Sequence, residues 1–230
     1  MKIPANFVVL DFETASLRPE DGCPLEVGVV KANGACFHAR IEYSGEVFNL
    51  KALEVNGIIE DELYDGTCCE IVDERLFEFL PQGKSYLVGR NPNFDKGFLD
   101  KYFPKSRERF HRRTIDLHSA VMMGAAWLLQ KKEGYRFSKV SEKIDELYES
   151  VLSAAPEPKP HNALRGAIHE WECLRRLACD GPRIYWQRME LHFEEMGPDF
   201  GRYVESPDVT IRSADWLVEK LSSYTLSNAV

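Results

Sequence analysis

The chain has 230 residues, 44% of them hydrophobic, which is enough to fill one α/β core and leave a C-terminal extension. A formal net charge of −8 argues against a broad basic nucleic-acid surface, though not against a site of carboxylates neutralised locally by cations. No apolar run approaches the ~18 residues of a membrane helix, and the one in MKIPANFVVL is too short for a signal peptide, so a cytoplasmic protein without a membrane partner is expected. The six cysteines show no CxxC spacing and read as reduced, buried thiols.

Residues 6–11 form a short apolar run, Phe7 to Leu10, that reads as a buried strand ending at Asp11. Segments 24–31 and 35–43 are strand-like, and Asn33-Gly34 between them is a hairpin signal. Residues 69–80 have helical spacing at Ile71, Leu76, Phe77 and Leu80, closed by Pro81 and Gly83. Tyr86 to Val88 predicts a further strand, followed by a helix through Phe94, Phe98 and Leu99. Thr114 to Leu117 reads as a strand, with helices near 118–130 and 137–150. Residues 154–160, AAPEPKP, predict an extended proline-rich loop. The last core helix spans about 162–178, with an apolar stripe at Ala163, Ala167, Trp171, Leu174 and Ala178. Beyond Gly181-Pro182, two more helices are expected near 184–195 and 213–223.

Three acidic residues and one histidine stand out. Asp11 and Glu13 are two apart at a strand end, so both carboxylates face one side. Two carboxylates suit Mg²⁺, which prefers oxygen ligands, but the DxE spacing alone is a weak signal that reads more readily as an acidic strand end. Asp95 falls on the first turn of a predicted helix, where it serves the helix dipole or a metal. His161 follows the proline-rich loop and opens HNALRGAIHEWECL; an imidazole titrates near pH 6.5 and can take a proton from an activated water. Lys101, Lys105, Arg107, Arg109, Arg112 and Arg113 form a basic stretch, which reads either as a track for phosphates or as a solvated face.

The phrases VVLDFET, ALEVNGI, LVGRNPNFDKGFL and HNALRG, in this order, resemble the DEDDh family of 3′→5′ exonucleases, the group of ribonuclease T, oligoribonuclease and the polymerase III proofreading subunit. The resemblance runs from about residue 6 to 178. It implies a ribonuclease H-like α/β fold, a mixed central sheet flanked by helices, in an exonuclease domain at 1–180 with a helical extension at 181–230 packed on it. It implies Asp11, Glu13 and Asp95 as ligands of two Mg²⁺ or Mn²⁺ ions and His161 as the general base. Thr14, Leu17 and Asn91 then contact the substrate, with Leu17 as an apolar wedge against the terminal base. The substrate becomes single-stranded DNA or RNA 3′ ends, released as nucleoside monophosphates, and a homodimer is allowed. The chain departs from the pattern at Arg90 and Asn56, where many members have His. It departs most at Gly166, the place of the last metal-binding Asp of H-x-A-x-x-D. Glycine offers no ligand, so activity is expected to be impaired. Gly166 reads either as an Asp→Gly replacement in an otherwise active chain, the favoured reading, or as divergence toward a non-catalytic member that binds nucleic acid or protein.

Overall fold

A computed structural model describes residues 3–44, 49–129, 148 and 161–179. They fall in two compact units: residues 2–117 with 157–174, and residue 1 with 118–156 and 175–230. The first unit is built on a five-stranded mixed sheet of order β3-β2-β1-β4-β5. Its strands are β1 (Phe7–Thr14), β2 (Pro24–Lys31), β3 (Cys36–Arg40), β4 (Ser85–Gly89) and β5 (Phe110–Asp116). β2 runs antiparallel to β1 and β3, whereas β4 runs parallel to β1 and β5 parallel to β4.

β1 continues to Thr14, three residues past the expected end at Asp11, because β2 pairs with it along the whole acidic segment. Asp11 faces Gly28, Phe12 faces Val27 and Glu13 faces Glu26. The β2–β3 hairpin turns at Asn33-Gly34 as expected. Gly34 lies at φ +84°, and Asn33 Oδ1 accepts the amide of Ala35 at 3.1 Å. β3 ends at Arg40 rather than 43, since Ile41 leaves it for an isolated bridge to Thr67.

Period-2 alternation divides the sheet into two faces. Val8, Leu10, Phe12, Val27, Val29 and Leu87 point to one side. Helices α2 (Cys69–Phe79) and α3 (Pro92–Tyr102) cover them with Val72, Leu76, Phe98 and Leu99. All are buried, and each side chain contributes roughly 1.5–3 kcal/mol by leaving water. The opposite face carries Asp11 and Gly28, and there the last described helix, α5 (Ala163–Cys179), approaches the sheet. A Cβ on Gly28 would overlap the backbone of Ala163, so glycine is required for this packing.

A smaller cluster of Ala15, Leu25, Tyr43, Leu53, Ile58 and Leu63 lies between the strands' polar ends and α1 (Leu50–Asn56). α1 is capped by Asn49, whose side chain accepts the Lys51 amide, and stops at Gly57 in the left-handed region. It was not foreseen, being only 7 residues long.

β5 starts at Phe110, four residues before the expected strand, so Arg112 and Arg113 of the basic stretch lie on the sheet's edge strand. Most of its cations are engaged within the fold. Lys105 pairs with Glu74, Arg107 donates to the Asp100 carbonyl, and Arg109 lies over the Phe77 ring at 4.0 Å. Asp73 accepts the amides of Lys105 and Ser106 and so fixes the chain entering β5.

In the second unit, α4 (Leu117–Leu129) matches the helix expected near 118–130. Its His118 ring meets buried Tyr148 edge-on at 4.9 Å. The expected proline-rich loop at 154–160, the extension at 181–230 and its helices lie outside the described residues, as does all but Tyr148 of the helix at 137–150.

Candidate active site

Asp95 reaches β1 where β1 outruns β4. The register pairs Phe7, Val8 and Val9 of β1 with Tyr86, Leu87 and Val88, and no further. Beyond that point the amide of Phe12 has lost its neighbouring strand. Asp95, on the first turn of α3, takes over: its Oδ1 accepts the Phe12 amide at 3.0 Å. The Asp95 carboxyl is thereby tied to the backbone between Asp11 and Glu13.

Asp95 is only 6% exposed, and burial pushes its carboxyl from 3.8 up to about 7, against the downward pull of the Phe12 amide. Ionised Asp95 in this setting calls for a nearby cation. Asp11 is half-buried and Glu13 buried. Three carboxylates form an all-oxygen donor set, the chemistry of Mg²⁺ and Mn²⁺ rather than of a soft metal. Among the described residues, no three His, Cys, Asp or Glu side chains stand together closely enough to hold an ion as they are. Mutual repulsion of like charges opposes such a gathering.

His161 is half-buried directly before α5, and its amide donates to the Val55 carbonyl of α1 at 3.3 Å. Asn162 caps α5, accepting the Arg165 amide at 3.2 Å. Gly166 is buried and one turn into the helix, on the stripe of Ala163, Ala167, Cys173 and Leu174 that faces inward. A side chain at 166 would therefore project from the sheet-facing side of α5. Glu170 is one turn further along that stripe. It is half-buried, with its carboxylate over Gly89 at the end of β4.

The expected substrate contacts differ in character. Leu17 is 79% exposed just past β1. Thr14 is buried, and its hydroxyl donates to the Ser16 carbonyl at 2.6 Å, holding the turn that presents Leu17. Asn91 is exposed and left-handed at φ 53°, with its amide on Asp116 Oδ1 at 3.2 Å. Asn56, in the place of a frequent family His, donates to the Thr14 carbonyl at 3.3 Å.

Sequence reasoning passed over Glu26, which is 6% exposed. Its Oε2 accepts from Asn162 Nδ2 at 2.8 Å and from the Ala163 amide at 3.3 Å. Arg40 and His38 of β3 approach it at 3.5 and 3.8 Å. A charged residue inside the apolar run PLEVGVV was the available signal.

No family model matches the chain. Individual relatives do. The PolC-type DNA polymerase III of Thermotoga maritima is 33% identical over 148 residues, which is 61% of this chain and 10% of the polymerase. The oligoribonuclease of Ectopseudomonas mendocina is 24% identical over 169 residues, 66% of this chain and 93% of that protein. The chain is thus similar to 3′→5′ exonucleases of the DEDD family. Solved exonuclease I from E. coli, in complex with a dT13 oligonucleotide, aligns with a TM-score of 0.55 at 16% identity. It covers 78% of this chain, while the chain spans 42% of exonuclease I, and that likeness shows the ribonuclease H-like α/β fold. Among the described residues, no helix is long and apolar enough to cross a membrane.

Proposed function

We propose that this chain removes nucleoside monophosphates from the 3′ ends of single-stranded nucleic acid, by metal-dependent hydrolysis of the DEDDh type. The observation that carries this reading is the Asp95–Phe12 hydrogen bond, which ties a buried carboxyl to the backbone between Asp11 and Glu13. Asp11, Glu13 and Asp95 would hold two Mg²⁺ or Mn²⁺ ions. Bound there, such ions make water more acidic and neutralise charge on the phosphoryl oxygens.

The chain's own residues do the rest. His161 takes the proton of the attacking water, a role that imidazole can fill near neutral pH. The exposed Leu17 stacks against the terminal base, on a turn held by Thr14. Asn91, exposed at the start of α3, contacts the substrate. Gly166 lacks the carboxylate that would complete the set, so turnover is slow in this chain. A cytoplasmic setting accompanies this reading.

Gly166 also favours a second reading, a non-catalytic member that binds nucleic acid or a partner through the same face. One experiment separates the two. Labelled single strands of DNA and RNA, with 3′-hydroxyl or 3′-phosphate ends, are incubated with Mn²⁺ and the chain or its Gly166→Asp variant. The exonuclease reading predicts stepwise mononucleotide release from 3′-hydroxyl ends, much faster in the variant. No release by either protein, with binding retained, supports the second reading.

A further inference from the structure

We propose that Glu26 is a positioning residue for His161, acting through the first residues of α5; this rests on the assignment of His161 as the general base. Glu26 and Glu13 are directly paired in register, so both side chains rise from the same face of the sheet. Two carboxylates so placed repel, and a buried one needs donors. Glu26 finds them on two sides. From β3 come Arg40, at 3.5 Å, and His38, at 3.8 Å, and Arg40 is itself braced by Glu62 at 3.1 Å. From α5 come the Asn162 side-chain amide and the Ala163 backbone amide.

The arrangement joins charge to geometry. A carboxylate at the first amide of a helix is favoured by the helix dipole. The Asn162 side chain is held at both ends, its oxygen on the Arg165 amide and its nitrogen on Glu26. The His161 amide is separately held by Val55. His161 therefore sits between two anchors one residue apart, one on α1 and one on β2. Gly28, two residues along β2 from Glu26, lets Ala163 approach the strand closely and fixes the depth of the same helix end. Glu26 is engaged by β3 and α5. It sets where the imidazole stands relative to Asp11 and Glu13.

The test uses the full chain with Glu26→Ala, Glu26→Gln and Asn162→Ser. Asn162→Ser keeps a helix cap but loses the amide donor to Glu26, so it probes the same link should Glu26→Ala fail to fold. The His161 ring resonances, followed by NMR without metal, should move in Glu26→Ala and Asn162→Ser. They should return toward the parent position in Glu26→Gln, whose oxygen still accepts from α5. His111, stacked on Tyr86 at 4.3 Å, is the reference that should not move. In the Gly166→Asp background, Glu26→Ala should lower kcat about tenfold or more with KM unchanged, since small misplacements of a catalytic group act on turnover. Unmoved His161 resonances in a folded Glu26→Ala or Asn162→Ser variant overturn the proposal, as does a loss confined to KM. If the parent and Gly166→Asp proteins both lack nuclease activity, the exonuclease reading fails, and the His161 resonances still decide the role of Glu26.

Discussion

Replacing Asp95 by Asn should stabilise the metal-free protein at neutral pH while removing its chemistry. The folded-state carboxyl titrates at about 7 against 3.8 for an unperturbed group, chiefly because burial disfavours its charge. The unfolded chain therefore ionises Asp95 first. Its contribution to stability is full below pH ~4, falls as pH rises, and is exhausted once the folded carboxyl ionises above pH ~7. Three pKa units correspond to about 4 kcal/mol, of which roughly 3 kcal/mol is lost between pH 5 and pH 8. Asn is neutral at every pH, and its oxygen still accepts the Phe12 amide. Urea unfolding with a chelator present, followed by tryptophan fluorescence at pH 5 and pH 8, measures the difference. The parent should lose stability over that interval and the variant should not, so that Asp95→Asn is the more stable protein at pH 8. Mn²⁺ should then stabilise the parent at pH 8 and leave the variant unchanged. Equal pH slopes, or a variant less stable at pH 8, would refute the burial argument.

Gly166→Asp should raise exonuclease turnover on a labelled single strand by roughly a thousandfold, the scale of several kcal/mol of transition-state stabilisation; no gain would mean that the site has diverged beyond this residue. His161→Ala in that background should lower kcat by about 10²–10⁴ with substrate affinity nearly intact, and lost affinity with retained turnover at saturation would reassign it to substrate binding. Gly28→Ala should cost about 1–3 kcal/mol in urea unfolding, because its Cβ meets the Ala163 backbone rather than a side chain that can turn away. Glu170→Gln, read by Mn²⁺ calorimetry, should leave ion affinity unchanged; a lost ion would instead make Glu170 the substitute for the absent ligand at 166.

Much of this fold was legible because the sheet's signals are local. The apolar run before Asp11, the Asn33-Gly34 turn and the 3.6-residue spacing of α2 each act within a few residues. The strand ends were not, since partner strands set them. β1 reaches Thr14 only because β2 pairs with Glu13, and β5 begins at Phe110 because Asp73 holds the preceding turn. The partners within the basic stretch were hidden for the same reason: Lys105, Arg107 and Arg109 meet groups on α2 and α3 that no local pattern reveals. At the site, motif order marked Asp11, Glu13, Asp95 and His161 as a set. The link between Asp95 and Phe12 spans 83 residues, and the link between Glu26 and Asn162 spans 136. Such contacts exist only once the sheet and α5 have come together.

Asp11, Glu13 and Asp95 are proposed to hold divalent ions at the end of β1. Titration calorimetry of Mn²⁺ into the parent and Asp11→Asn proteins at pH 8 tests it most directly. The parent should bind Mn²⁺ saturably and Asp11→Asn should not bind it, with both proteins folded. Unchanged Mn²⁺ affinity in Asp11→Asn would contradict it.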